Sequence, residues 1–305
     1  MPQAPESAEL IVATPNLTVV ILTLNEEPNV AQALASVCGW AKRVVVLDSF
    51  STDRTIEVAR RHDCKVFQHA FVNYAAQRNH ALQNLGINTE WVLFLDADER
   101  VTRELRDEIT RILASRPEEN GFHVRYRLIW MGKWIRRGYY PSWILRLFRL
   151  DHARCEDRAV NERLVVEGKT GYLEGDLIHE DHKGIDAWIE KHNSYAKREA
   201  DLLLRTRDEE CNEEIPARLF GTQAERKRWL RRRVWNRLPP LGRPFIYFVY
   251  RYFLCLGFLD GVEAFTFHFL QALWFPMLID IKYVEARYKA KRPDSSTGRI
   301  SPPAS

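Results

Sequence analysis

A chain of 305 residues that is 46% hydrophobic can bury a substantial core, in one large domain or two smaller ones. Its net charge of +4 announces no nucleic-acid partner, and its five cysteines (38, 64, 155, 211, 255) show no zinc-type pairing, which points to reduced thiols in a cytosolic setting. No basic stretch followed by an apolar core opens the chain, so no secretion signal is read; residues 1–15 and 292–305, rich in Pro, Ser and Ala, read as a disordered leader and tail.

Residues 17–113 alternate strand and helix patterns. Leu17–Leu22 is a short apolar, β-branched run. Val30, Ala33, Leu34 and Val37 then fall at helical spacing, with Pro28 suited to the first turn. Val44–Leu47 predicts a second strand ending at Asp48, and Ser51-Thr52-Asp53 offers N-caps for a helix through Arg61. Lys65–Gln68 reads as a third strand, Tyr74–Leu85 as a third helix and Trp91–Leu95 as a fourth strand. Leu105, Ile109, Ile112 and Leu113 give the next helix its apolar face. The strands are almost wholly apolar, as expected when helices cover both faces of a mostly parallel α/β sheet.

The fourth strand ends in Asp96-Ala97-Asp98. If the strand persists through Ala97, both carboxylates point the same way, just beyond a strand's carboxyl end, where open α/β sheets bind ligands. Such a pair can hold Mg²⁺ or Mn²⁺, hard cations that keep positions open for phosphates. A strand that stops in a polar turn is the structural alternative. The first 120 residues contain only Gly39 and Gly86, so neither a dinucleotide-binding fingerprint nor a P-loop is present. A bound diphosphate would have to be met by a metal and basic side chains.

Beyond residue 121, Phe122, Val124, Tyr126 and Leu128 alternate with polar or basic residues, and Trp143–Leu150 reads as another strand. Residues 151–183 read as loop-rich, and Ala187–Arg205 as a helix. Seven basic and no acidic residues lie between Arg226 and Arg237, interleaved with Trp229 and Trp235. The following aromatic, apolar stretch has Ala264–Ile279 as its longest uncharged run, short for a membrane span. This pairing fits a surface lying on anionic lipid; buried helices with a solvated basic face are the alternative. The domain reading is therefore 16–205 for the α/β domain and 206–291 for a C-terminal helical region.

Four pieces stand in order: Val20-Ile21-Leu22-Thr23-Leu24-Asn25-Glu26, Asp48-Ser49-Phe50-Ser51-Thr52-Asp53-Arg54-Thr55, Gln77-Arg78-Asn79-His80-Ala81-Leu82 and Phe94-Leu95-Asp96-Ala97-Asp98-Glu99. Together they resemble the family 2 glycosyltransferases of the GT-A (Rossmann-like) fold, and most of all the branch that includes lipopolysaccharide-core β-glucosyltransferases. Phe258-Leu259-Asp260-Gly261 also looks like that branch. The resemblance implies donor-binding roles for Thr23, Asn25, Glu26, Asp48, Ser51 and Arg78, with Asp48 on the base, expected to be uracil. It implies a metal held by Asp96 and Asp98, with Asp98 the more direct ligand and Asp96 able to reach the ribose. His179, in Leu177-Ile178-His179, would approach the metal or diphosphate. Glu162 would be the general base and Asp157 the second candidate; this chain has Val160-Asn161-Glu162 where the branch tends to show Val-His-Glu.

The expected activity is inverting transfer of a sugar from a nucleotide-sugar donor to a lipid-linked or cell-envelope polysaccharide acceptor. The expected setting is the cytoplasmic face of a membrane, contacted peripherally through Arg226–Arg237 and the apolar helices. Two rivals stand beside it. A nucleotidyltransferase shares the sheet and paired carboxylates but normally carries a glycine-rich basic loop where this chain has Asn25-Glu26-Glu27-Pro28. A non-catalytic lipid-binding protein explains the C-terminus and leaves the four ordered motifs unexplained.

Overall fold

Apolar runs of strand length alternate with amphipathic helices from Leu17 onward, and the chain folds accordingly. The structure, a computed structural model, describes residues 14–155, 164–205 and 235–291. The candidate bases Asp157 and Glu162, the basic residues 226–233, and the expected leader (to residue 13) and tail lie outside the described residues. The chain divides into two compact units, Met1–Lys183 and Gly184–Ser305. This border falls at the start of the helix that the sequence reading assigned to the first domain.

In the first unit, β1 (Leu17–Thr23), α1 (Glu27–Val37), β2 (Arg43–Asp48), α2 (Thr55–Ala59), β3 (Lys65–Gln68), α3 (Tyr74–Asn84) and β4 (Trp91–Asp96) follow in turn. The strands pair in parallel in the order β3-β2-β1-β4, so their carboxyl ends share one edge. Alternation along each strand feeds two cores. Leu17, Val19, Ile21, Leu93 and Leu95 pack with Val30, Leu34 and Val37 of α1 and with Leu105 and Ile109 of α4 (Arg103–Ala114). Val20, Val45, Leu47, Val92 and Phe94 pack with Ala75 and Ala81 of α3. Burial on both faces is why these strands carry so few polar residues. The second helix is shorter than expected: it starts after Arg54 and stops at Ala59, with Asp53 accepting from the backbone and hydroxyl of Thr55.

The other half of the sheet is mixed. β5 (Glu99–Val101), β6 (Gly121–Trp130), β7 (Lys133–Trp134), β8 (Trp143–Arg149) and β11 (Thr170–His179) complete nine strands, while β9 (Ala153–Cys155) pairs with β10 (Leu164–Val166) separately. β8 runs antiparallel to β4 and β6, and β11 lies parallel to β6 and antiparallel to β5. The parallel reading therefore holds for the first four strands. The expectation of a loop-rich 151–183 is corrected by ten-residue β11. An irregularity between Tyr172 and Asp176 breaks its period-two pattern, which hid it. That irregularity is built around α4: Glu108 accepts from the backbone N–H groups of Glu174 (2.9 Å) and Gly175 (2.8 Å). A Cβ on Gly175 would sit 2.5 Å from Cα of Leu105.

The second unit opens with α5 (Gly184–Arg205). Shorter helical segments, Arg243–Val249, Val262–His268 and Phe275–Lys291, follow, the last two joined through a π-helical stretch. Val262–Ala290 is thus one helical run of 29 residues, long and apolar enough by length and composition to cross a membrane and longer than the uncharged stretch within it. Asp280 on this run is buried and paired with Arg243, whose Nε lies 3.0 Å from both carboxylate oxygens. His192 of α5 is stacked on Trp188 at 3.5 Å, edge-on to Phe275 at 5.0 Å, and Nδ1 lies 2.8 Å from the Trp188 carbonyl. Burial lowers its pKa to about 4.

Two outcomes follow from this packing. Gly175→Ala forces Leu105 and the backbone of α4 outward and is expected to cost about 1–3 kcal/mol, seen as a lower denaturant midpoint. His192 stays neutral when folded, so between its unfolded pKa near 6.5 and about 4 the unfolded chain binds the extra proton. Stability of the second unit should therefore fall as pH drops through that window, by at most about 3 kcal/mol, and His192→Gln should flatten the profile.

Candidate active site

The carboxyl ends of β1, β2 and β4 bring three of the four ordered motifs together, and α3 brings the fourth. Thr23 closes β1 and donates its hydroxyl to Asp48 Oδ1 at 2.9 Å. Asp48, at the end of β2, is fully buried. It also accepts from the Ser51 backbone N–H (2.9 Å), the Ser51 hydroxyl (2.5 Å) and Gln68 Nε2 (3.3 Å). A carboxylate offers about four acceptor positions, and these four donors fill them. Asp48 thus ties the floor of the crevice together, with Gln68 as its longest contact.

The turn after β1 is fixed with similar care. Asn25 takes a left-handed conformation (φ 53), its backbone N–H donates to the Ser51 hydroxyl, and its side-chain oxygen accepts from the Thr52 backbone N–H at 2.8 Å. Asparagine tolerates this region better than other non-glycine residues. Glu26 accepts from Lys183 Nζ at 2.5 Å and from Asn29 Nδ2 at 2.8 Å. Burial raises its carboxyl pKa, against the opposing pull of Lys183.

β4 stops at Asp96, and the chain turns at Ala97–Asp98 before β5. The two aspartates are therefore brought to the edge by a turn, with the strand ending sooner than simple alternation assumes. Arg146, 3% exposed on β8, reaches across to Asp96 and to Glu99 Oε1 (2.6 Å). Arg78 of α3 adds a second guanidinium 3.6 Å from Asp96 and lies over the Phe94 ring. Desolvation alone would lift the Asp96 carboxyl, but Arg146 and then Arg78 outweigh it and hold it well below the usual range. Glu99, buried and flanked by Asp96 and Asp98, is pushed up, with Arg146 opposing.

Of Glu26, Asp96, Asp98 and Glu99, the first, second and fourth have a Lys or Arg as salt partner. Asp98 instead faces an imidazole, His179 Nδ1, at 3.5 Å. His179 ends β11 opposite Glu99, with its ring 5.8 Å from Tyr126. Carboxylate and imidazole together suit Mn²⁺ better than a purely oxygen-seeking cation. Among the described residues no three His, Cys, Asp or Glu side chains form a metal cluster. The next residues are engaged elsewhere: Glu180 pairs with Arg100 at 2.5 Å, and Asp181 accepts from Asn29 at 2.9 Å.

Sequence reasoning named Arg146 only as part of a strand. Its signal was a single charge inside the apolar run Trp143-Ile144-Leu145-Arg146-Leu147-Phe148, which a buried strand tolerates only with a buried partner. Arg146→Met strands two carboxylates beside each other and is expected to cost about 3–5 kcal/mol. Urea unfolding reads this directly, and a loss below about 1 kcal/mol would mean that the clasp is not structural.

Comparison with known proteins gives a consistent picture. The sequence profile described as Glycosyl transferase family 2 matches residues 18–156. The lipopolysaccharide core biosynthesis glycosyltransferase LpsC of Rhizobium meliloti is 30% identical over 202 residues, covering 62% of this chain and 72% of that protein. An uncharacterized glycosyltransferase of Rickettsia prowazekii, RP128, is 26% identical over 277 residues and 87% of each chain. Among solved structures, S. aureus TarS 1–349 superposes with a TM-score of 0.42 at 15% identity, over 93% of this chain and 94% of that one. Against another TarS structure the match spans only 28% of the solved chain, with a TM-score of 0.33.

Proposed function

Because this chain belongs to glycosyl transferase family 2 and is a glycosyltransferase, we propose that it transfers a sugar, with inversion, from a uridine diphosphate donor to a cell-envelope glycan of the lipopolysaccharide-core type. The observation that carries this reading is the turn Asp96-Ala97-Asp98 at the shared carboxyl edge, with Asp98 facing an imidazole while its neighbouring acids face fixed cations. The name of LpsC supports the class of acceptor.

In this reading the nucleoside lies over β1 and β2. Thr23, Asn25 and Ser51 line its crevice, and Asp48 holds that lining in place. The base can be accepted by Asp48 when Gln68 gives way. Arg78 faces the diphosphate. Asp98 and His179 hold the divalent cation, Mn²⁺ or Mg²⁺, and Asp96, clasped by Arg146, orients the ribose. The cation, when bound, stabilises negative charge on the departing nucleoside diphosphate.

The chemical step needs one base. An acceptor hydroxyl oxygen attacks the anomeric carbon as the bond from that carbon to the diphosphate oxygen breaks; the diphosphate leaves with the bonding pair, and the hydroxyl proton passes to a carboxylate. Attack opposite the leaving group inverts the anomeric centre. Glu162 is the proposed base, with Asp157 second. Hydrolysis by paired carboxylates, in contrast, requires two acids flanking the bond.

Membrane contact belongs to the same proposal. Large apolar side chains cluster on the outside of the second unit between Phe245 and Phe269, among them Leu254 and Val262 at 73% and 69% exposure. Between Arg243 and Asp280 the acids are Asp260, Glu263 and Asp280, and the first and last are buried. Such a face suits the interior edge of a bilayer, with Arg226–Arg237 meeting anionic headgroups on the cytoplasmic side.

Calorimetric titration with UDP, with and without Mn²⁺, tests the donor site. Metal-dependent binding is expected in the wild type and a loss of at least about tenfold in Asp98→Ala. Binding unaffected by metal or by the substitution would remove the proposed cation site. With a donor sugar and envelope extract as acceptor, Glu162→Gln should keep UDP affinity but lower turnover by about 10²–10⁴-fold. An unchanged rate would pass the role of base to Asp157.

A further inference from the structure

We infer that the outer half of the sheet carries a subsite for an anionic saccharide, built from alternating rings and guanidinium groups. This rests on the reading of a glycan acceptor and deepens it. Tyr172 of β11 meets Trp143 of β8 edge-on at 4.9 Å. Arg125 of β6 lies over Trp143 at 5.3 Å and over Tyr140 at 5.6 Å. Tyr140 meets Trp134 edge-on at 5.2 Å, and Arg127 lies over Trp134 at 4.9 Å. The ladder is continuous across β11, β8, β6 and β7 and the connection between β7 and β8.

Buried Asp176 organises it. Its carboxylate is 3.0 Å from Nε of Arg125 and 2.8 Å from Nε of Arg127, and it accepts from the Tyr140 hydroxyl at 3.2 Å. Among Arg125, Arg127 and Asp176, one carboxylate thus answers two guanidinium charges and leaves one positive charge in excess. Rigidly held guanidinium groups recognise carboxylates and phosphates in forked fashion, and the rings between them offer flat faces to the C–H side of a sugar.

Its position connects it to the proposed chemistry. β8 pairs antiparallel with β4, Leu93 opposite Leu147. That pairing ends there, and β8 extends past an irregularity at Arg146 to Trp143, toward the carboxyl end of β4. Arg125 lies opposite Trp143, so β6 runs farther out still. Trp143 lies three positions before Arg146 on β8, about 10 Å along the strand. The ladder therefore overhangs the edge where the donor is proposed to bind, at the reach of a short oligosaccharide.

Tyr172 is 52% exposed, and Arg136, also over the Trp134 ring, is exposed, so both can be replaced without opening the core. Calorimetry at low ionic strength on the wild type, Arg136→Ala and Tyr172→Ala would use four probes: tetragalacturonate, mannose 6-phosphate, a neutral galactotetraose and UDP with Mn²⁺. At least one anionic sugar is expected to bind about tenfold tighter than the neutral one, to weaken about fivefold or more in each variant, and UDP affinity to stay unchanged. Equal binding of neutral and anionic sugars, no binding of either anion, or variants that bind like the wild type would each overturn the subsite. A short single-stranded DNA that binds as tightly and is equally sensitive to the variants would also overturn it. Loss of UDP binding in the wild type would instead sink the donor reading and leave the saccharide result standing.

Discussion

The acidic turn at the shared edge depends on one guanidinium inside the sheet. Arg146 stands between Asp96 and Glu99, two acids three residues apart on a tight turn with Asp98 between them. Without that charge, three carboxylates would crowd one another in a region of low dielectric, and the cheapest response would be to protonate or to move. With it, Asp96 stays ionised while Glu99 is pushed up. The strand end becomes a fixed platform beside Asp98, whose carboxylate lies 3.5 Å from His179 Nδ1. The acids of this edge are thus mostly matched by cations of the fold itself.

The same logic recurs around the crevice. Glu26 is met by Lys183 and Glu180 by Arg100. Asp48 is handled differently, by four neutral donors from three elements, so it is satisfied without a counter-ion. Charge matching on one side and hydrogen-bond saturation on the other thus divide the crevice.

Much of this was legible in the sequence. The first four strands and helices α1, α3 and α4 were readable because strands buried on both faces must be apolar runs, and because Val30, Leu34, Leu105 and Ile109 sit at helical spacing. Thr23, Asn25, Glu26, Asp48, Ser51, Arg78, Asp96, Asp98 and His179 do converge on one edge, although their chemical roles stand as proposals. What escaped was long-range. Nothing local ties Arg146 to Asp96, fifty positions away. β11 was invisible because its pattern is interrupted where α4 presses on Gly175. The donors to Asp48 could not be counted until Gln68 and Ser51 were placed beside it.

The end of the first unit has a consequence for how it can be handled in isolation. Asn29, buried on α1, donates to Asp181 at 2.9 Å and accepts from the His182 backbone N–H at 2.8 Å, and Lys183 closes onto Glu26. The last three residues of the unit are thus stitched back onto its first loop and the start of α1. A gene fragment cut after β11, at the apparent end of the sheet, would encode every strand of the unit yet release the turn that carries Asn25 and Glu26. The smallest faithful fragment has to run through Lys183.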